Sequence, residues 1–246
     1  PTTQPSIAKF MKAAGYATGA FGKWHLGYKD EFNPIHHGFD EYFGTLLGHA
    51  DYYHHGYFDG TYGMRDGLEV VHKEGYLTDL LNERAAAFIR KHAKEPFFLY
   101  VAYNAVHWPF QPPGKPDDVR DKQTWFNGTR KDYAAMVEGV DAGLGKILAA
   151  LEKHGLAENT LVVFTNDNGA ESVSFPDGGT TRFKGGKMST WEGGMRAPLV
   201  VRWPGHIKPG TVKEDIFASL DWLPTFVDIA GGPKGNELTK QLEAGK

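Results

Sequence analysis

Residues 162–171 read VVFTNDNGAE, a β-prone run that ends on Asn166, Asp167, Asn168 and Gly169. Taken alone, Asp167 and Asn168 are most simply a turn, because both residue types tolerate left-handed backbone and bond locally to it. The other reading is chemical. A carboxylate and an amide carbonyl are two of the oxygen ligands that Ca²⁺ or Mg²⁺ takes, and the remaining ligands must then come from elsewhere. Three more polar clusters are candidates for chemistry: Lys23 and His25 in GKWHLG (22–27), His107 in YNAVHWPF (103–110) and Lys187 in GGKMSTWEGG (185–194). Each is ordinary by itself, as a surface lysine, a hydrogen-bonded histidine or a solvated Gly-Gly-Lys loop. Together, two lysines and two histidines suit a tetrahedral oxyanion. A cation on Asp167 and Asn168 would polarise one of its oxygens, the lysines would neutralise the others, and a histidine would supply the leaving-group proton. That is the transfer of a phosphoryl or sulfuryl group. No GxxxxGK[ST] phosphate loop is present, which speaks against a nucleoside triphosphatase.

The elements that must position these residues alternate between two periods. Ser6 is placed to cap a helix whose apolar face is Ile7, Phe10, Met11 and Ala14, stopped at Gly15. YATGAFGKW (16–24) reads as a short strand. Lys23 and His25 occupy alternate positions on it and are expected to point the same way. Residues 76–93 carry a helical period with Thr78 as candidate cap, 96–104 are a strand suited to burial on both faces, and 131–155 are a long helix. Further strands fall at 159–169 and 197–205, and a last helix at 221–231 with Asp221 as cap. Residues 27–75 and 105–130 fit no regular period and are rich in Gly, Pro, His and aromatics. Irregular inserts of that length are usually functional. One of them, GHADYYHHGYFDGTYG (48–63), suits a sugar or aryl group as well as it suits a packed surface loop. The alternation predicts an α/β fold, a central mixed, mostly parallel sheet with helices on both faces. The four polar clusters are expected at the carboxyl ends of its strands, where open α/β sheets bind ligands.

Composition narrows the class. The 246 residues carry 27 basic and 30 acidic side chains with no block of one sign, so nothing points to nucleic acid or an anionic membrane surface. No apolar run reaches the ~20 residues of a membrane span. Cysteine is absent, which excludes disulfides, thiolate zinc sites and a cysteine nucleophile within these residues.

The blocks AGYATGAFGKWHLG, HGFDEYFG, PFFLYVAYNAVHWPF, NTLVVFTNDNG, KGGKMSTWEGGMRAPLVVRWPG and SLDWLPTFVDIAG resemble, in order and spacing, those of the type I sulfatases, arylsulfatase-like relatives of alkaline phosphatase. The resemblance covers nearly the whole chain. It implies an alkaline-phosphatase-like fold and the hydrolysis of aryl or carbohydrate sulfates by a periplasmic or secreted enzyme. It also implies roles. Lys23 contacts sulfate and nucleophile, His25 bonds the nucleophile, His107 stands near the ester oxygen, and Lys187 is a second sulfate-binding lysine. Asp167 and Asn168 are two ligands of a Ca²⁺, or of Mg²⁺ in some members.

Two family features are not in this sequence. Members carry a pair of aspartates on an N-terminal strand as further metal ligands. They also carry a C/S-x-P-S-R motif whose first residue becomes formylglycine, the nucleophile. The chain therefore reads as the middle of a catalytic domain, 1–232 being part of that domain and 233–246 the start of a connection to a C-terminal subdomain. On this reading it lacks the nucleophile and is inactive alone. Two alternatives remain: a phosphatase or phosphodiesterase of the same superfamily with two zinc ions, and a non-catalytic relative that binds sulfated glycans.

Overall fold

The segment Ala17–Lys23, strand β1, lies next to the edge of a five-stranded sheet, between two parallel neighbours. A computed structural model of the protein describes residues 4–116, 123–171, 179 and 181–245. Helix α1 (Ile7–Ala13) precedes β1. After it come β2 (Glu41–Thr45), β3 (Met64–Asp66), β4 (Glu69–Val70), α2 (Leu77–Lys91) and β5 (Phe97–Ala102). Then follow α3 (Arg130–Lys153), β6 (Val162–Thr165), α4 (Glu192–Met195), β7 (Leu199–Arg202), α5 (Trp222–Ile229) and α6 (Gly235–Glu243). The chain divides into two compact units, Pro1–Asn104 with Lys213–Lys246, and Ala105–Val212.

In the first unit the sheet order is β4-β3-β2-β1-β5. β1 runs parallel to both β2 and β5, whereas β2, β3 and β4 are successively antiparallel. Alternation along β1 sends successive side chains to opposite faces. Gly19 and Phe21 face α2: Phe88 packs edge-on to Phe21 at 5.6 Å, and a Cβ on Gly19 would stand 2.8 Å from the Phe88 ring. Ala20 faces the other way, into a cluster with Ala8 of α1, Phe39, Tyr42 and Leu46. Phe98 of β5 joins that cluster and meets Phe226 of α5 at 5.8 Å. Helices thus cover both faces of a mixed sheet, as the sequence predicts.

Local signals explain most boundaries. Ser6 accepts the Lys9 N–H at 3.2 Å and starts α1. Thr129 and Asp132 form a reciprocal capping box at the start of α3. Thr78 is not the cap of α2. Tyr76 is, stacked on Tyr52 at 5.6 Å, and Thr78 is buried in the first turn, so aromatic packing begins the helix earlier than polar capping would. Asp221 occupies the N-cap position of α5 as expected, but its carboxylate makes no bond to that helix and accepts the Ala218 N–H at 2.7 Å instead. Strands β2, β3 and β4 lie inside the stretch expected to be irregular. They are short, and β2 contains Gly44, so no period of two is visible. β5, expected to be buried on both faces, has a ladder partner among the described residues only in β1, and its Tyr100 is 48% exposed.

In the second unit, β6 and β7 form an antiparallel ladder from Val162↔Arg202 to Thr165↔Leu199. It is half-exposed rather than buried, being two strands wide. Trp125 and Met136, Ile147 and Leu151 of α3 are buried side chains of this unit.

The insert between β2 and α2 is pinned by buried polar groups. Asp51 accepts the N–H groups of Tyr53 and His54 at 2.7 and 2.6 Å. His55 is fully buried, with Nε2–H donating to the Gly75 carbonyl at 3.1 Å. Burial lowers its pKa below the ordinary 6.5, the Gly75 bond opposing this in part. The unfolded chain therefore takes up a proton near pH 6.5 that the fold refuses. Stability is full above that pH, declines as pH falls through it, and stops declining from this source below the folded pKa. Thermal unfolding is expected at a Tm several degrees lower at pH 5 than at pH 7.5, with part of the slope removed in His55→Gln. A Tm that holds or rises on acidification contradicts this account.

Candidate active site

In the first unit, Lys23 is the last residue of β1 and stands at the carboxyl end of the sheet. The ladder continues past it, Trp24 N–H bonding Thr45 O and His25 N–H bonding Leu46 O, each at 2.9 Å. The Trp24 indole donates to the Phe32 carbonyl at 2.7 Å and packs against His37 and Phe39. At His25 the backbone turns left-handed, with φ 62°. Such a conformation costs about 1–3 kcal/mol and persists only where surrounding packing enforces it. The expected reason for Lys23 and His25 to act together, alternation along an extended segment, therefore does not hold. The strand has ended before His25.

Packing gathers them instead. The His25 ring lies on Gly48, where a Cβ would come within 2.4 Å of Cε1 and Nε2. His49 follows, its Nε2 accepting the Phe58 N–H at 3.3 Å and its ring edge-on to Tyr57 and Phe58. Burial lowers the His49 pKa, and the nearby charges of His25 and Lys23 lower it further, against a smaller pull from Asp59. Burial and these neighbours thus favour the neutral imidazole at His49. Sequence reasoning did not single it out, although it sits in the His- and Tyr-rich insert.

In the second unit, Asp167 and Asn168 follow the carboxyl end of β6. Asp167 is exposed and Asn168 partly so, and among the described residues neither side chain has a hydrogen-bond or ion-pair partner. Their oxygens are unclaimed. Lys187 does not follow a strand. It lies in the loop before α4 and reaches the Asp167 turn by backbone bonding, Lys187 N–H to Ala170 O at 2.8 Å and Gly169 N–H to Gly194 O at 2.9 Å. The two segments touch backbone to backbone, a Cβ on Gly169 standing only 2.0 Å from Gly193 O. Met188, next to Lys187, is left-handed at φ 75°. The Lys187 ammonium pairs with Glu171 at 3.0 Å, both side chains about one-quarter exposed. Glu171 is a second residue the sequence reading passed over, although it directly follows the TNDNGA run.

His107 lies beyond the end of β5. Its Nδ1–H donates to the Trp108 carbonyl at 2.9 Å, which leaves Nε2 as the basic nitrogen of the neutral ring. Its ring packs on Trp108, which in turn packs on Trp125 and Phe126. A shelf of indoles therefore fixes its orientation. The sequence-predicted residues thus group as Lys23 with His25 in one unit, and Asp167, Asn168 and Lys187 in the other, which also contains His107.

As a test of a divalent cation, Asp167 and Asn168 offer two unclaimed oxygens of the hard type that Ca²⁺ and Mg²⁺ take. Among the described residues no group of three or more His, Cys, Asp and Glu side chains adds to them. They fit as part of a ligand set.

The Sulfatase family model matches residues 1–232. The chain is 37% identical over 246 aligned residues to N-acetylgalactosamine-6-sulfatase of Rattus norvegicus, covering 94% of this chain and 45% of that protein. It is 34% identical to arylsulfatase J of Mus musculus, covering 94% of this chain and 40% of that protein. A solved structure of Ps i-CgsB in complex with k-i-k-neocarrahexaose superposes with a TM-score of 0.84 at 35% identity, over 96% of this chain and 55% of that one. The chain thus spans somewhat less than half the length of these curated relatives. The mixed sheet between helices is the alkaline-phosphatase-like arrangement of such neighbours, and the six candidate residues fall within the matched span. The chain belongs to the sulfatase family.

Proposed function

We propose that the chain carries the sulfate-binding and leaving-group residues of a sulfuric ester hydrolase, a periplasmic or secreted enzyme acting on a carbohydrate or aryl sulfate. The observation that carries this reading is the loop pair in the second unit. Backbone bonds join the Lys187 loop to the segment bearing the Asp167–Asn168 turn, whose oxygens are unclaimed, and the Lys187 ammonium rests on Glu171 of that segment, so one loop pair carries both an anion-binding charge and hard-cation ligands. Family membership supports it. A carbohydrate substrate is favoured over a simple aryl sulfate by the name of the N-acetylgalactosamine-6-sulfatase relative and by the k-i-k-neocarrahexaose held by one structural neighbour.

In the reaction the S–O ester bond breaks, the leaving oxygen gains a proton, and water supplies the oxygen that ends on sulfur. Lys23 and Lys187 neutralise the sulfate oxygens as negative charge shifts during S–O cleavage. To do so Lys187 exchanges its Glu171 partner for sulfate. His107, its Nδ1 fixed by Trp108, gives the leaving-group proton from Nε2. His25, held by Gly48 at the end of β1, orients the attacking group. Asp167 and Asn168 hold a Ca²⁺, or Mg²⁺ in its place, which when bound supplies Lewis-acid polarisation of a sulfate oxygen. The nucleophile is a formylglycine from outside residues 1–246, a source of attacking oxygen that none of these side chains replaces.

In the protein at its full encoded length, His107→Gln is expected to lower kcat on a sugar sulfate by about 10²–10⁴-fold. The loss on 4-nitrophenyl sulfate should be much smaller, because nitrophenolate leaves without a proton. Equal losses on both substrates contradict the role given to His107. The 246-residue chain alone is expected to turn over neither. By calorimetry it should bind Ca²⁺ far more weakly than the full-length protein, since two ligands fall short of the ~6–8 oxygens Ca²⁺ prefers. Submicromolar Ca²⁺ affinity of the short chain contradicts the ligand assignment.

A further inference from the structure

A cavity of about 320 Å³ opens in the first unit, lined by Tyr28, Leu46, Tyr57, Asp59, Thr61 and Arg65 among others. That is at the small end of the range for ligand pockets, about the size for one ring rather than a long chain. Its floor is built. The Tyr57 hydroxyl accepts the Leu46 and Leu47 N–H groups at 2.9 and 3.2 Å and donates to the Gly63 carbonyl at 3.1 Å. One hydroxyl thus ties three points of the insert together. The same Leu46 gives its carbonyl to the His25 N–H. The floor of the cavity and His25, the residue proposed to orient the attacking group, are therefore neighbours across one ladder rung, with His49 packed beside Tyr57.

The walls have a definite chemistry. Tyr28 presents an aromatic ring that is 65% exposed, the kind of face on which the C–H side of a pyranose stacks. Asp59 and Thr61 bring a carboxylate and a hydroxyl to the rim. Asp59 accepts the Thr61 N–H at 2.9 Å, and bonds from Thr61 lower its pKa, so it is ionised at neutral pH. The one cation, Arg65, is already paired with Asp30 at 3.4 Å and donates to the Leu68 carbonyl at 3.3 Å. An aromatic face, hydroxyl-binding groups and an unmatched carboxylate favour a neutral sugar ring and disfavour a uronate or a second sulfate.

We propose that this cavity is a subsite for an uncharged sugar residue linked to the sulfated one, so that the substrate is an oligosaccharide whose neighbouring ring carries no charge. The assignment rests on the sulfatase reading for its catalytic consequence, and on the cavity alone for binding.

Two measurements on the protein at its full encoded length test it. The first compares kcat/KM for 4-nitrophenyl sulfate, a monosulfated galactose, the same sulfated galactose linked to neutral galactose, and the same linked to glucuronate. The neutral disaccharide should exceed the monosaccharide by about tenfold, as one stacked ring contributes. Tyr28→Ala should erase that advantage while leaving the aryl sulfate and monosaccharide rates unchanged. The glucuronate disaccharide should gain nothing until Asp59→Lys reverses the rim charge. Turnover of none of the four sulfates by the wild type contradicts the sulfatase reading. Turnover of any of them with no disaccharide advantage, or with a preference for glucuronate, overturns the subsite alone. The second measurement needs no turnover. Saturation-transfer NMR with lactose should show transfer to the protons of one ring, lost in Tyr28→Ala, and its absence in the wild type overturns the subsite.

Discussion

At the carboxyl end of β1 the backbone of Gly22 lies so near the carbonyl of Ala102 that a Cβ there would stand 1.9 Å from that oxygen. Its φ of +115° is likewise open only to glycine at low cost. Close approach to a glycine recurs beside two more of the candidate positions. Gly48 lies under the His25 ring, and Gly169 lies against Gly193. Removing side chains at these points lets adjacent segments come together and leaves the neighbouring Lys23, His25, Asp167 and Lys187 as the groups that project. The backbone turns left-handed at His25, two residues past the end of β1.

Charge follows from this packing. Lys23 and His25 are held within range of His49, and burial, with these neighbours, lowers the His49 pKa and favours its neutral form. In the second unit the Lys187 ammonium is matched by Glu171, whereas Asp167 and Asn168 keep their oxygens unmatched. A pairing that an incoming anion can displace, beside oxygens that an incoming cation can take, suits a site that binds both.

Much of this was legible in the amino-acid sequence because short motifs encode local geometry. Ser6 capped the helix it preceded, β1 lay where its apolar run began, and the mixed sheet between helices followed from the alternation of periods. What was not legible depended on contacts distant in sequence. Strand β2 was hidden because Gly44 interrupts its pattern and its partners are β1 and β3. Tyr76 displaced Thr78 as cap because it stacks on Tyr52. His49 drew no notice because its surroundings come from Lys23 and His25, more than twenty residues away. Lys187 was expected after a strand, and a loop locked by Gly169 carries it instead.

The central claim is that close backbone approach at Gly169 makes the Asp167–Asn168 turn and the Lys187 loop a single rigid piece. Hydrogen exchange at the Lys187 amide reads this directly, since that N–H donates to Ala170 O across the contact. In the wild-type protein the amide should be protected. In Gly169→Ala, where the new Cβ meets the Gly193 carbonyl, protection should fall by about tenfold or more while amides in α3 keep theirs. A Lys187 amide that remains equally protected in Gly169→Ala would contradict the account.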